Sequence, residues 1–321
     1  MELSHVKHIA VIGSGIMGHG IAQTFALGGY EVTLNDINDD LLNKAVQRIR
    51  SNLNTFVDFG ITTSAGAKKA LSRIKTSKNL SEAAKQSDVV VEALPEVMEL
   101  KKRIVKELDE TCPSHTIIAS NTSGLSLTEM VSDIKRRDQA IIAHWYNPPH
   151  IIPVVEIVKG QYTSEQTVDL VYQLLTVIGK KPVKILREVP GFLGNRLQFA
   201  LYREALYCLK EGIASAEDID LAVKGSYGFR LPTLGPLETS DFGGLDTYLH
   251  IAEYLFKEID RSTEPPEFLR EKVRQGKLGV KTGEGFFRYT PEEAEKKIKE
   301  RDRQFLQRLK CLYFGKTGKE D

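Results

Sequence analysis

Residues 8–36 hold the arrangement that most narrows the fold. An apolar run, HIAVIG (8–13), leads into Gly13-Ser14-Gly15-Ile16-Met17-Gly18, a GxGxxG loop. A helical pattern follows over 16–29, closed by glycines, and then a second apolar run, EVTLND (31–36), ends on Asp36. Alone, a GxGxxG is a weak signal. Between a strand and a helix, with an acid ending the next strand, it meets the context of a dinucleotide fingerprint. Gly13 makes the tight turn, Gly15 lets the backbone approach a pyrophosphate, and Gly18 lets the helix pack on the sheet. Ile16 and Met17 complete the loop, where free N–H groups and the positive helix end favour phosphate. Asp36 can accept ribose hydroxyls and would repel a 2′-phosphate. Ile37 and Asn38 follow, with no arginine to hold one. The reading is NAD rather than NADP. A chance glycine turn is the competing reading, and it leaves the acid unexplained.

The alternation continues through IKTSK (74–78), DVVVEAL (88–94) and TIIAS (116–120), with helical stretches between them. Repeated β-α-β units argue a parallel sheet covered on both faces. After KPVKIL (181–186) strand signals stop, and the chain reads as helices. The fold class is therefore α/β: a Rossmann-like NAD-binding domain over 1–187, followed by an all-α domain over 188–321. The boundary falls at 187–190, in the REVPG turn. Two helix starts are explicit. Ser215 and Asp218 have N-cap spacing, and Thr290-Pro291-Glu292-Glu293 is a capping box with proline in the first turn.

Composition excludes several classes. At 321 residues the chain has room for two cores without a disulfide or metal. Its 44 basic and 43 acidic residues leave a net charge of +1, which gives no electrostatic case for nucleic acid or membrane. Three cysteines, at 112, 208 and 311, form no CxxC pair, so neither a disulfide framework nor a zinc site is expected. Reduced thiols, no signal peptide and no presequence fit a cytoplasmic protein. No apolar run reaches bilayer length.

One charge stands out. Residues 153–158 read PVVEIV, so Glu156 sits in a run that should be a buried strand. A buried carboxylate costs several kcal/mol unless paired. QAIIAHWY (139–146) and IPVVEIV (152–158) flank NPPHI. A hairpin centred on His150 sets His144 opposite Glu156, within side-chain reach. Glu156 would then accept from one ring nitrogen, fixing the tautomer and leaving the other nitrogen as a base. The carboxylate also favours the imidazolium. An NAD enzyme oxidising an alcohol needs such a base for the hydroxyl proton. A structural His–Glu pair within a core accounts for the same residues equally well.

The segments VIGSGIMGHGIAQ, DVVVEALPEVMELKK, SNTSGL, HWYNPPHIIPVVEIV, PGFLGNRL, GPLETSDFGGLDT and KLGVKTGEGFF resemble the L-3-hydroxyacyl-CoA dehydrogenase family. They run in that family's order from residue 11 to 287. The resemblance implies His144 as general base with Glu156 as its orienting partner. Ser123 would bond the substrate oxygen or the histidine, and Asn195 would position both. Glu96, Lys101 and Asn147 would lie along the cofactor. It further implies an acyl-CoA substrate with a short chain such as 3-hydroxybutyryl-CoA, a place in fatty acid metabolism, and a homodimer formed through the helical domain. The active site would lie between the domains. Local readings compete: Ser123 as a helix cap, Asn195 bonding its own backbone, Glu96 and Lys101 as a solvated helix face. Trp145 and His150 read as packing and loop.

Departures bear on the substrate. The family's mitochondrial branch has a lysine-rich arm that contacts the CoA phosphates, whereas RSNLNTFVDFG here has few cations. Arg50, Lys68 and Lys69 are the substitutes at hand. HWYNPPHIIPVVE also resembles lambda-crystallin and carnitine dehydrogenase, which act on free hydroxy acids. KTGEGFF is typical of the CoA enzymes. A free 3-hydroxy acid of gulonate or carnitine type is the alternative, and a non-enzymatic structural or nucleotide-sensing role is a third. The C-terminal stretch extends past the family's usual end. There Phe305, Leu306, Leu309, Leu312 and Tyr313 recur at helical spacing, as core or subunit packing would.

Overall fold

A computed structural model describes residues 1–314, and the side chains through 312. The chain forms two compact units. One comprises residues 1–195 with the chain from 304 onward, the other residues 196–303.

The first unit is built on eight strands: β1 (His8–Ile12), β2 (Glu31–Asn35), β3 (Ile74–Ser77), β4 (Val89–Glu92), β5 (Ile117–Ser120), β6 (Ala140–Trp145), β7 (Val154–Val158) and β8 (Lys181–Ile185). They lie in the order β3-β2-β1-β4-β5-β6-β7-β8. Every pairing is parallel except β6 with β7. Strand order reverses beside β1, where doubly wound sheets open a crevice at their carboxyl ends.

Alternating strand residues feed two apolar layers. Ile9, Val11, Val89, Val91, Ile141 and Ala143 face one side. There they meet α1 (Gly18–Leu27), α2 (Asp39–Asp58), α3 (Ser64–Ser72) and, further along the chain, the helix Glu165–Val177. Ala10, Ile12, Val90, Ile118 and Ile142 face the other, against α4 (Leu80–Ala84), α5 (Met98–Thr111) and α6 (Leu127–Met130). The strands are therefore near-continuous apolar runs, as burial on both faces requires. The helix Glu165–Val177 is α7 below.

The second unit is helical: α8 (Gly194–Lys210), which begins at the end of the first unit, then α9 (Ala216–Gly225), α10 (Tyr227–Arg230), α11 (Pro236–Gly243), α12 (Leu245–Glu258) and α13 (Glu267–Arg274), and the start of α14 (Pro291–Leu309). Both sequence-read helix starts are present. Ser215 accepts from the Asp218 N–H at 3.1 Å, and Thr290 and Glu293 exchange bonds of 2.9 and 3.2 Å. The KTGEGFF segment folds back on itself through the pairings Gly279–Glu284 and Glu284–Arg288. Within residues 196–303, Leu206 is the single fully buried side chain.

The last turns of α14 belong to the first unit. Leu306 is buried with Phe56 and Ile151, and Phe305 and Leu309 pack beside them. Leu312 is exposed, so the stripe does not continue to it. The side chain of Tyr313 lies outside the described residues.

Candidate functional site

The glycine loop leaves the carboxyl end of β1. Gly13 has φ +96°, a left-handed conformation that favours glycine, and a Cβ there would fall 2.7 Å from the Ala93 carbonyl oxygen. A Cβ on Gly18 would meet the Gly13 carbonyl oxygen at 1.7 Å, so α1 is pressed against the turn it starts from. Around Gly15 a Cβ would meet open space, the clearance that close approach of a phosphate needs. Asp36, just past β2, accepts from Ser14 N at 2.8 Å and Ser14 Oγ at 2.6 Å through one oxygen, and from Ile37 N at 2.7 Å through the other. The donor-rich loop and the acid at the strand end fit a dinucleotide. The sequence reading passed over His19. Its Nδ1 lies 2.7 Å from the Gly15 carbonyl, bracing the loop, and burial pushes its pKa down.

The next strand ends carry a charged network. Lys101 is buried, contrary to a reading of α5 as a solvated charged face. Its ammonium donates to Glu92 at 2.7 Å and to the Leu94 carbonyl at 3.2 Å, and stands 3.5 Å from Glu96. Glu92 also accepts from Ser120 Oγ at 2.5 Å. Glu96 precedes α5 rather than lying on it. Its carboxylate accepts from Thr122 Oγ1 at 2.5 Å and from the N–H groups of Ser123 and Gly124 at 2.9 and 3.2 Å. Burial pushes the Glu96 pKa up, but these bonds and Lys101 outweigh it and hold the group below the usual carboxylate range. Glu96 thus shapes the SNTSG loop. Sequence reading missed Glu92 and Thr122. The available signal was Lys101, Val105 and Leu108 at i, i+4, i+7, facing a lone acid at the end of an apolar strand.

Ser123 is exposed and caps no helix. The cap of α6 is Ser126, which accepts from Glu129 N at 3.2 Å. Asn195 donates to the Ser123 carbonyl at 3.1 Å, which joins the start of α8 to the SNTSG loop. Asn147 is exposed just beyond β6, before a cis bond to Pro148.

The register of β6 and β7 sets His144 opposite Glu156. His144 Nδ1 lies 2.8 Å from Glu156 Oε2, with both residues almost fully buried. The other carboxylate oxygen accepts from Leu193 N at 3.2 Å and Gly194 N at 2.7 Å. Burial pushes Glu156 up, but the bonds from His144, Gly194 and Tyr146 prevail and keep it ionised. An ionised carboxylate only accepts, so Nδ1 carries a proton, which in the neutral imidazole leaves Nε2 as the acceptor. The imidazole is flanked by the rings of Tyr146 at 4.7 Å and Phe192 at 5.5 Å. Phe192 has φ 50°, rare for a bulky residue, and is held there with its ring buried. No group of metal-ligating side chains occurs among the described residues.

Residues 8–189 match the 3-hydroxyacyl-CoA dehydrogenase NAD binding domain, and residues 191–289 match the C-terminal domain of the same enzymes. The chain belongs to the 3-hydroxyacyl-CoA dehydrogenase family. It is an NAD-dependent oxidoreductase of that family. It is 39% identical over 285 residues to a probable 3-hydroxybutyryl-CoA dehydrogenase of Bacillus subtilis, covering 88% of this chain and 98% of that one. It is 34% identical over 306 residues to 5-formyl-3-hydroxy-2-methylpyridine 4-carboxylate 5-dehydrogenase of Mesorhizobium japonicum, covering 94% and 96%. A solved structure of an enzyme with that pyridine-acid activity, described as an NAD⁺-dependent dismutase, superposes with a TM-score of 0.89 at 32% identity. It covers 96% of this chain and 98% of its own. In this member of the family, Tyr146, Phe192, Glu92 and Thr122 are the parts of the site that the sequence reading did not assign.

Proposed function

We propose that the protein oxidises the hydroxyl of an L-3-hydroxyacyl-CoA to a ketone, with His144 as general base and Glu156 as its orienting partner. The observation that carries this reading is the buried His144–Glu156 bond of 2.8 Å, in the same sheet that presents the glycine loop. NAD, when bound, would supply the hydride acceptor. Gly13, Gly15, Ile16, Met17 and Gly18 would hold its pyrophosphate, Asp36 its ribose, and Glu96, Lys101 and Asn147 would lie toward its nicotinamide end. Ser123 and Asn195 hold the substrate oxygen. His144 Nε2 takes the hydroxyl proton as the C–H bond breaks, and returns it in the reducing direction. Arg50 and Lys68 line one groove of about 660 Å³ between α2 and α3, with Asp58, Ser64 and Asn54, and the two cations against one acid support an anionic group of the substrate there.

A second reading keeps the hydride chemistry but replaces the thioester with a small carboxylated ring compound. The relative that acts on a pyridine acid matches 94% of this chain, against 88% for the Bacillus enzyme, which favours this reading. Parallel assays of NADH formation on 3-hydroxybutyryl-CoA, gulonate, carnitine and 5-formyl-3-hydroxy-2-methylpyridine 4-carboxylate decide between them. Turnover of the thioester alone is the outcome expected. Turnover of the pyridine acid or a free hydroxy acid alone replaces the first reading, and none on any compound ends both.

The protein acts as a homodimer through its helical unit. Support comes from the apolar surface of that unit, where Phe229, Leu237, Phe242, Leu249 and Phe256 are all largely exposed.

A further inference from the structure

We propose that Tyr146 is a positioning residue for the His144–Glu156 pair, and that Gly194 is a glycine in order to admit its hydroxyl. This rests on the reading of His144 as the base. Tyr146 lies two residues beyond His144, at the end of β6. Burial and the facing Glu156 carboxylate push its phenol pKa up, and its ring lies 4.7 Å from the imidazole, tilted by 54°. The same side chain therefore touches both members of the pair.

Gly194 shows what the hydroxyl demands of its surroundings. A Cβ on residue 194 would fall 1.8 Å from the phenol oxygen and 2.8 Å from the ring carbon bearing it. Its φ is not in the left-handed region, so the turn does not call for glycine. At the same time the Gly194 N–H donates to Glu156 at 2.7 Å. Backbone and phenol thus converge on one carboxylate, and any side chain at 194 would separate them.

Glu156 thereby accepts from His144 and from the N–H groups of Leu193 and Gly194, with the Tyr146 phenol facing it. Among the described residues, the titratable groups facing it are His144 and Tyr146, both carried by the β6 end. From β8 its neighbour is Val183, and the chain entering α8 offers only backbone N–H groups. Each added donor draws charge from the carboxylate and weakens its hold on an imidazolium. Tyr146 therefore sets how readily His144 gives its proton back, besides fixing the angle of its ring.

Tyr146→Phe keeps the ring and removes the donor. The expected result is NAD affinity unchanged, KM nearly unchanged, and kcat lowered roughly 3- to 10-fold. The acid limb of the kcat/KM profile moves to higher pH, because the less satisfied carboxylate holds the imidazolium longer. The downfield proton resonance of His144 Nδ1, identified by its loss in His144→Gln, moves further downfield. A fluorinated tyrosine at 146 is a stronger donor in the native fold, and moves both the limb and the resonance the opposite way. This arm also decides the matter if Tyr146→Phe does not fold. A limb and resonance unmoved by either change overturn the proposal. Undiminished turnover in His144→Gln would instead overturn the general-base reading. The resonance, which needs no substrate, would still report on Tyr146.

Discussion

His144 is held on three sides: by Glu156 at Nδ1, and by the rings of Tyr146 and Phe192. Under the proposed function, a base so fixed contributes through its second ring nitrogen and little else. His144→Gln should bind NAD as the wild type does and lose roughly 10²–10⁴-fold in kcat, measured as NADH formation at saturating cofactor. A second buried group acts on stability. Lys180 donates to the carbonyls of Pro149 and Ile152 at 2.6 and 2.8 Å, pinning the β6–β7 connection, with the Trp145 ring 5.2 Å away. Burial pushes its amine down to about 7. Unfolded, the same amine keeps its proton to about pH 10. Between those values the unfolded chain binds more protons, so this group's contribution to stability rises with pH, by on the order of 1 kcal/mol per pH unit mid-window. Urea melts of wild type and Lys180→Met at pH 7 and pH 9 should show that gain in the wild type only.

At the scale of elements, the end of α14 acts as a patch on α2. Leu306 is buried against Phe56 and Ile151, so Leu306→Ala should cost about 2–5 kcal/mol, read as a lower Tm of the first unit. The α2–α3 groove gives a test of the thioester. Arg50→Ala and Lys68→Ala should each raise KM for 3-hydroxybutyryl-CoA about 3- to 10-fold and leave KM for a free hydroxy acid unchanged. The β6–β7 register was legible because the two apolar runs are symmetric about His150, and a shift of one residue would have turned Glu156 to the other face. The burial of Lys101 was harder to read, because MELKKRIVKELDET carries many charges, and Lys101 shares its face with Val105 and Leu108 while its partner lies back on β4. The stripe on α14 was visible as apolar periodicity. Its partners, Phe56 and Ile151, lie far back along the chain, where local patterning does not reach.

Across the whole molecule, the two units bury their apolar side chains very differently. The first has a core layer on each face of its sheet. The second buries only Leu206 completely, while its helices α10 to α12 expose Phe229, Leu237, Phe242, Leu249 and Phe256. A helical unit of this size stays soluble when a second copy covers such a surface. Light scattering should therefore give twice the chain mass. Leu249→Asp with Phe256→Asp should shift it to the monomer mass or to aggregates.

The return of residue 306 to a pocket formed by residues 56 and 151 also sets an order on synthesis. A sheet-containing unit commonly closes as soon as its last strand has been made. Here, Phe56 and Ile151 wait uncovered on the nascent chain until some hundred further residues have left the ribosome.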